Sequence, residues 1–150
     1  MTTSTILVIN GPNLNLLGAR DPNQYGAKTL DEINQILQNE FNTLSPSGKI
    51  YFFQSNHEGA IIDFIQQERT ASGLIINPGA LTHYSYALAD ALRDFPGKKA
   101  EVHLSNILER ETWRAVFVTR DACDQVFMGK REDSYREALA WILGQLKASI

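Results

Sequence analysis

Cysteine is nearly absent from this chain. One residue in 150, Cys123, excludes an internal disulfide, and with no Cys or His at ligand spacing around it no zinc or other metal site is expected. No charge of one sign dominates. Fourteen Lys plus Arg stand against 17 Asp plus Glu, a formal net charge of -3, so no global basic field exists to hold nucleic acid or an anionic membrane. Any anionic partner has to be captured locally. Long apolar runs are missing as well: Ile6 to Ile9 is far shorter than a secretory h-region, and the segment Met1 to Thr5 before it has no charged side chain. No segment approaches the roughly 20 residues that span a bilayer, so the expected location is the cytoplasm. Linkers rich in Gly, Ser or Pro, low-complexity tracts and internal repeats are absent too, and residues 1–150 read as one domain. With 43% hydrophobic and 21% charged side chains, the chain can bury an ordinary core.

What is present is alternation. Thr5 to Ile9 is a β-branched run closed by Asn10-Gly11-Pro12, the pattern of a strand buried on both faces. Thr29-Leu30-Asp31-Glu32 is a capping box, followed by Ile33, Ile36, Leu37, Phe41 and Leu44 at helical spacing and stopped by Pro46 and Gly48. Ile50 to Phe53 predicts a second strand, and Ser55-Asn56-His57-Glu58 a second capping box before Ile61, Ile62 and Ile65. Leu74 to Ile76, Glu101 to Leu104 and Val126 to Met128 predict three more strands. Thr82 caps a helix through Tyr86, Leu88, Ala89 and Leu92, and Tyr135 to Leu146 forms a last amphipathic one. Strands alternating with crossovers give a five-stranded parallel sheet, hence an α/β, flavodoxin-like three-layer sandwich.

Ligands of such sheets bind beyond the carboxyl ends of the strands. The loop there after the first strand runs about eighteen residues, where two to six are usual. Gly18 and Gly26 flank Pro22, so a lid carrying Arg20 and Tyr25 is physically reasonable; the alternative is two side chains decorating a floppy loop. In Asn77-Pro78-Gly79-Ala80-Leu81-Thr82-His83, Asn77 either closes an Asx turn or faces a ligand. Glu101, His103 and Ser105 share one face of a strand that ought to be apolar on both, which marks either a site or a structural histidine satisfied by Glu101. Arg110 and Arg114, four apart, share a face if Leu108 to Trp113 is helical; they either hold a carboxylate or hydroxyls, or form a solvated charged turn with Glu109 and Glu111.

Several chemistries lack their motifs. Neither G-x-G-x-x-G nor G-x-x-x-x-G-K-[ST] occurs, no G-x-S-x-G follows a strand, and His57-Glu58 is not continued to H-E-x-x-H because position 61 is Ile61. What remains is an acid and base set of Arg, Tyr, His and amides, with no cofactor implied.

Gly11-Pro12-Asn13-Leu14-Asn15-Leu16-Leu17-Gly18-x-Arg20, Tyr25-Gly26, Asn77-Pro78-Gly79-Ala80-x-Thr82-His83 and Glu101-Val102-His103-Leu104-Ser105-Asn106 together resemble the type II 3-dehydroquinate dehydratases, collinearly from about Ile6 to Arg114. The resemblance implies trans elimination of water from 3-dehydroquinate to give 3-dehydroshikimate, a shikimate-pathway step, without a cofactor or a Schiff-base lysine. Carried over by matched position, Tyr25 takes the C2 proton, Arg20 keeps Tyr25 ionised, His103 protonates the leaving C1 hydroxyl and Asn13 meets the C3 enolate oxygen, through water. A free phenol, with pKa about 10, is a poor base at neutral pH, which is why the guanidinium is needed. The same matching puts the substrate carboxylate on Asn77 and the N–H groups of Leu104 and Ser105, and the ring hydroxyls on His83 and Arg114. Asp90 comes to the site across a subunit contact, and Glu101 orients His103. A homododecamer built as a tetramer of trimers is implied as well.

Beyond Arg114 the chain departs from the family pattern. Ala115-Val116-Phe117-Val118 replaces a polar pair, and Gly129-Lys130-Arg131-Glu132-Asp133-Ser134-Tyr135 a Gly-rich stretch before Gly-Tyr. Lys98-Lys99-Ala100 stands where Pro and a large apolar residue are common. Two other readings follow: a homologue that keeps the pocket as a ligand-binding module without turnover, and a nucleotide-binding flavodoxin-like domain, which the missing phosphate loop disfavours.

Overall fold

β-Branched and aromatic runs too short for helices become five parallel strands. The structure, a computed structural model, describes residues 3–149, so the ends of the expected 1–150 domain, including Met1 and Thr2 of the polar amino-terminal segment, lie outside the described residues. The strands are β1 (Thr5–Asn10), β2 (Lys49–Gln54), β3 (Gly73–Asn77), β4 (Lys98–His103) and β5 (Gln125–Met128). Their order, β2-β1-β3-β4-β5, is the doubly wound flavodoxin-like order. The helices are α1 (Pro22–Tyr25), α2 (Leu30–Leu44), α3 (Glu58–Gln67), α4 (Tyr86–Asp94) and α5 (Glu132–Ala148).

Period-two alternation sorts the central strands onto two cores. Ile6, Val8, Ile75, Ala100 and Val102 face α2 and α5, with Phe41, Leu37 and Tyr135 against them. Leu7, Ile9, Leu74 and Ile76 face α3 and α4, with Ile61, Leu88 and Leu92. Each Val, Leu, Ile or Phe among them contributes about 1.5–3 kcal/mol on leaving water, before entropy is set against it. The switch point lies between β1 and β3, because the chain steps outward from β1 to β2 and then back across to β3; there Asn10 and Asn77 stand in register at the carboxyl ends.

The first capping box forms as its residues dictate: Glu32 N donates to Thr29 Oγ1 at 3.1 Å and Thr29 N to Glu32 Oε1 at 3.4 Å. The second does not. His57 N donates to Ser55 Oγ at 3.0 Å, a local turn, and α3 starts at Glu58 without a side-chain cap. The Glu58 carboxylate instead accepts from the Ser85 hydroxyl at the start of α4, tying two helices together. Ser85, not Thr82, caps α4, accepting from Leu88 N at 3.1 Å; Thr82 lies earlier, in a 3-10 turn Gly79–His83. β4 begins three residues before the expected Glu101 and ends at His103. The stretch Leu108 to Trp113 is not one helix but parts of two 3-10 turns, Ile107–Glu109 and Thr112–Ala115, separated by Arg110 in extended backbone.

Candidate active site

The long loop after β1 is ordered by its own residues. Leu14–Leu16 forms a 3-10 turn that buries Leu14, and Asp21 caps α1 by accepting from Asn23 N at 3.0 Å, with Pro22 at the first helical position. Gly26 then turns the chain at φ 78°, a conformation open to glycine, and delivers it to the Thr29 cap. Tyr25, at the end of α1, is thereby laid over the sheet edge. The Arg20 guanidinium carbon stands 3.8 Å from its ring centroid and that of Arg110 5.1 Å, so two cations meet one phenol ring.

Below the lid the ends of β1, β3 and β4 converge on a cavity of about 100 Å³ lined by Asn13, Arg20, Tyr25, Asn77, His83, His103, Leu104, Ser105, Arg110 and Arg114, with Pro12, Leu14, Gly79, Ala80 and Ile107. Nine of the expected site residues are therefore brought together. Glu101 lies one layer beneath and touches His103. The tenth expected contact residue, Asp90, is elsewhere: on the outer face of α4, 78% exposed, paired with Arg93 at 3.2 Å.

The floor is a buried polar network. His103 Nε2 lies 2.7 Å from Glu101 Oε2, both side chains being buried. A carboxylate only accepts, so Nε2 carries a proton, and Nδ1 is left as the nitrogen without a partner among the described residues. Thr82 Oγ1 donates to Glu101 Oε2 at 2.8 Å and Thr119 Oγ1 to Glu101 Oε1 at 2.6 Å. Asn77 makes the expected Asx turn, its Oδ1 accepting from Gly79 N at 3.1 Å. Its Nδ2 also donates to the Tyr135 hydroxyl at 2.9 Å, and that hydroxyl donates to Asn10 Oδ1 at 2.5 Å. Burial pushes the Tyr135 phenol well above its usual range, so it is neutral and structural.

His83 donates from Nδ1 to the Val116 carbonyl at 2.6 Å and packs edge-on against Trp113, with centroids 5.0 Å apart. Desolvation holds its pKa below the ordinary 6.5, against the opposing pull of that carbonyl, so at neutral pH it is an uncharged ring with Nε2 free to accept. Arg114 is braced by Glu111 and by the Trp113 face, 4.2 Å from its guanidinium carbon. Arg110 reaches Ser105 Oγ at 3.4 Å. Sequence reasoning assigned no role at the site to Thr119 or Tyr135, and weighed Arg110 without placing it at Tyr25. Among the described residues no group of three or more His, Cys, Asp and Glu side chains is placed to hold a metal ion. The arrangement offers a phenol and an imidazole facing one small volume, with amides and guanidiniums around them: a proton acceptor, a proton donor and an anion cradle.

A family model described as dehydroquinase class II matches residues 4–143. The chain is 49% identical, over 140 residues, to a protein named 3-dehydroquinate dehydratase from Roseiflexus castenholzii; the match covers 93% of this chain and 88% of that protein. It is 44% identical to a catabolic 3-dehydroquinase from Botryotinia fuckeliana over 149 residues, 98% of this chain and 97% of that one. The crystal structure of a type II dehydroquinase from Butyrivibrio crossotus superposes with a TM-score of 0.89 at 42% identity, covering 93% of this chain and 97% of that one.

Proposed function

This chain belongs to the class II dehydroquinase family, type II 3-dehydroquinate dehydratases and so hydro-lyases, and on that premise we propose that it eliminates water from 3-dehydroquinate with Tyr25 as base and His103 as acid. The observation that carries this reading is that the Tyr25 ring, flanked by the Arg20 and Arg110 guanidiniums, and the His103 ring line the same cavity.

Tyr25 takes the C2 proton, with the Arg20 and Arg110 guanidiniums over its ring. The electrons left at C2 delocalise onto the C3 oxygen as an enolate, which Asn13 meets through water. Collapse of the enolate expels the C1 hydroxyl, which His103 protonates from the side facing the cavity, so water leaves and the conjugated enone forms. Glu101, hydrogen-bonded to the far nitrogen of the His103 ring, fixes the orientation of that ring and compensates its positive charge. The substrate carboxylate takes Asn77 and the N–H groups of Leu104 and Ser105; His83, neutral, and Arg114 take the ring hydroxyls. No cofactor enters the scheme. In an assembly of trimers, Asp90 comes to the pocket of a neighbouring subunit.

Addition of 3-dehydroquinate to the purified protein at neutral pH is expected to raise ultraviolet absorbance as the enone forms. Tyr25→Phe should lower kcat about 10²- to 10⁴-fold, the range of a general base, while ligand still raises Tm. A wild-type protein that is stabilised by 3-dehydroquinate yet releases no product would instead be a binding module.

A further inference from the structure

The segment after Arg114, which lies within the family match over residues 4–143, contains Thr119, and its side chain is fully buried. Its hydroxyl is the one donor among the described residues that reaches Glu101 Oε1, at 2.6 Å. The other carboxylate oxygen, Oε2, is shared by His103 Nε2 at 2.7 Å and Thr82 Oγ1 at 2.8 Å. Thr119 also lies 2.8 Å from Thr82 Oγ1, but one hydroxyl has one proton, and with the Thr82 proton on Oε2 the Thr119 proton is needed on Oε1. Three contacts thus fix the plane of a carboxylate that water does not reach. Without the third, half of that carboxylate is left buried and unpartnered, and it is free to turn away from the imidazole.

Thr119 is itself held in place. Val118 N donates to Thr82 O at 2.7 Å, and Ala122 N donates to Thr119 O at 3.0 Å. Two residues before Val118, the Val116 carbonyl takes the His83 proton, so one short segment fastens both histidines of the cavity.

We propose that Thr119 is a positioning residue that acts through Glu101: its hydroxyl sets the carboxylate plane and thereby aims the His103 ring at the leaving hydroxyl. The inference rests on the reading of His103 as the acid. It gives the segment after Arg114 a task in the reaction.

The test compares Thr119→Val, nearly isosteric but without the donor, with Thr119→Ser, which restores it. Thr119→Cys, with a weak S–H donor, is the fallback should the valine variant not fold, and is expected to lie between the two. Loss of one hydrogen bond to a buried charge predicts that kcat falls about 10- to 100-fold in Thr119→Val with KM within about twofold, and that Thr119→Ser recovers it. Independently of turnover, the chain has three histidines, so the Nε2–H proton resonance of His103 can be assigned in ligand-free protein. It should move in the valine variant and return in the serine variant. A resonance unmoved by Thr119→Val, or a serine variant that behaves as the valine one, overturns the proposal. If the resonance responds as expected while the wild-type protein forms no enone from 3-dehydroquinate, the assignment of the reaction fails and the positioning contact stands.

Discussion

His83 carries a pH dependence set by its surroundings. Its pKa in the folded protein lies below the 6.5 of a free ring because burial penalises the cation. Below about pH 6.5 the unfolded chain therefore binds more protons at this position than the folded one, so the stability His83 permits is fully present above that pH and is lost as pH falls. Melting curves between pH 7.5 and 5 should show Tm falling on the acid side, with a shallower slope in His83→Gln. Affinity for 3-dehydroquinate should weaken over the same interval, because the Nε2 acceptor becomes a donor. Cys123 gives a contrasting expectation. Burial, with the Glu101 carboxylate nearby, pushes its thiol well above the ordinary range, so a thiol reagent at pH 8 should label native protein far more slowly than urea-unfolded protein. At this scale the sequence was legible where a signal is local. Glu101 and His103 are two apart on a strand, so their contact follows from the pleat. Thr119 and Tyr135 were not legible because their partners lie 18 and 125 residues away, and no spacing rule spans such distances.

At the scale of elements, the loops that leave β1 and β3 run against one another. Gly11 N donates to Asn77 O at 2.8 Å, and a Cβ on Gly11 would stand 2.5 Å from the Pro78 carbonyl oxygen, a backbone atom unable to swing aside. Gly11→Ala is expected to cost about 1–3 kcal/mol by overpacking, read as a lower urea midpoint, and to weaken substrate binding because Asn77 and Asn13 are displaced together. The lid supplies a second expectation. The cavity of about 100 Å³ lies beneath the Arg20 and Tyr25 layer, and closure of that layer on substrate is the expectation. Trypsin cleavage after Arg20 should be slowed when 3-dehydroquinate is bound to the Tyr25→Phe protein; an unchanged rate would mean that the lid does not close on ligand. The helices show what patterning can and cannot resolve. Thr82 and Ser85 are both good caps three residues apart, and the choice fell to Ser85 because the Thr82 hydroxyl is taken by Glu101, a partner on β4. Glu58 likewise left its box for Ser85. The Arg110 and Arg114 side chains reach one cavity although Leu108 to Trp113 is not one helix: Arg110 stands in extended backbone between two 3-10 turns and Arg114 in the second of them.

At the scale of the whole molecule, the five-stranded sheet and its two cores follow from alternation of β-branched and helical segments, and the site follows from where parallel strands end. Association does not follow from any of this. Tyr84 and Tyr86 are exposed beside α4, as are Trp113 and Val116 near His83, and Asp90 lies on the same helix as Tyr86, outside the cavity of its own chain. If copies assemble with Asp90 of one chain at the pocket of the next, Asp90→Asn should lower activity although it leaves its own cavity intact. Mixed assemblies of Asp90→Asn and Tyr25→Phe chains, each poorly active alone, should then regain part of the turnover, and light scattering should report a dodecamer. Mixing that restores nothing would exclude a shared site.

The Tyr135 hydroxyl, which joins Asn10 to Asn77 at the base of the cavity, has a consequence for how the molecule comes into being. On a ribosome all five strands emerge before the helix that brings this tyrosine, so nascent chains ending before it hold two strand-end amides with no bridge between them. Substrate capture is therefore a property acquired late in synthesis, and stalled chains released short of α5 are expected to bind 3-dehydroquinate weakly even where their sheet has begun to form.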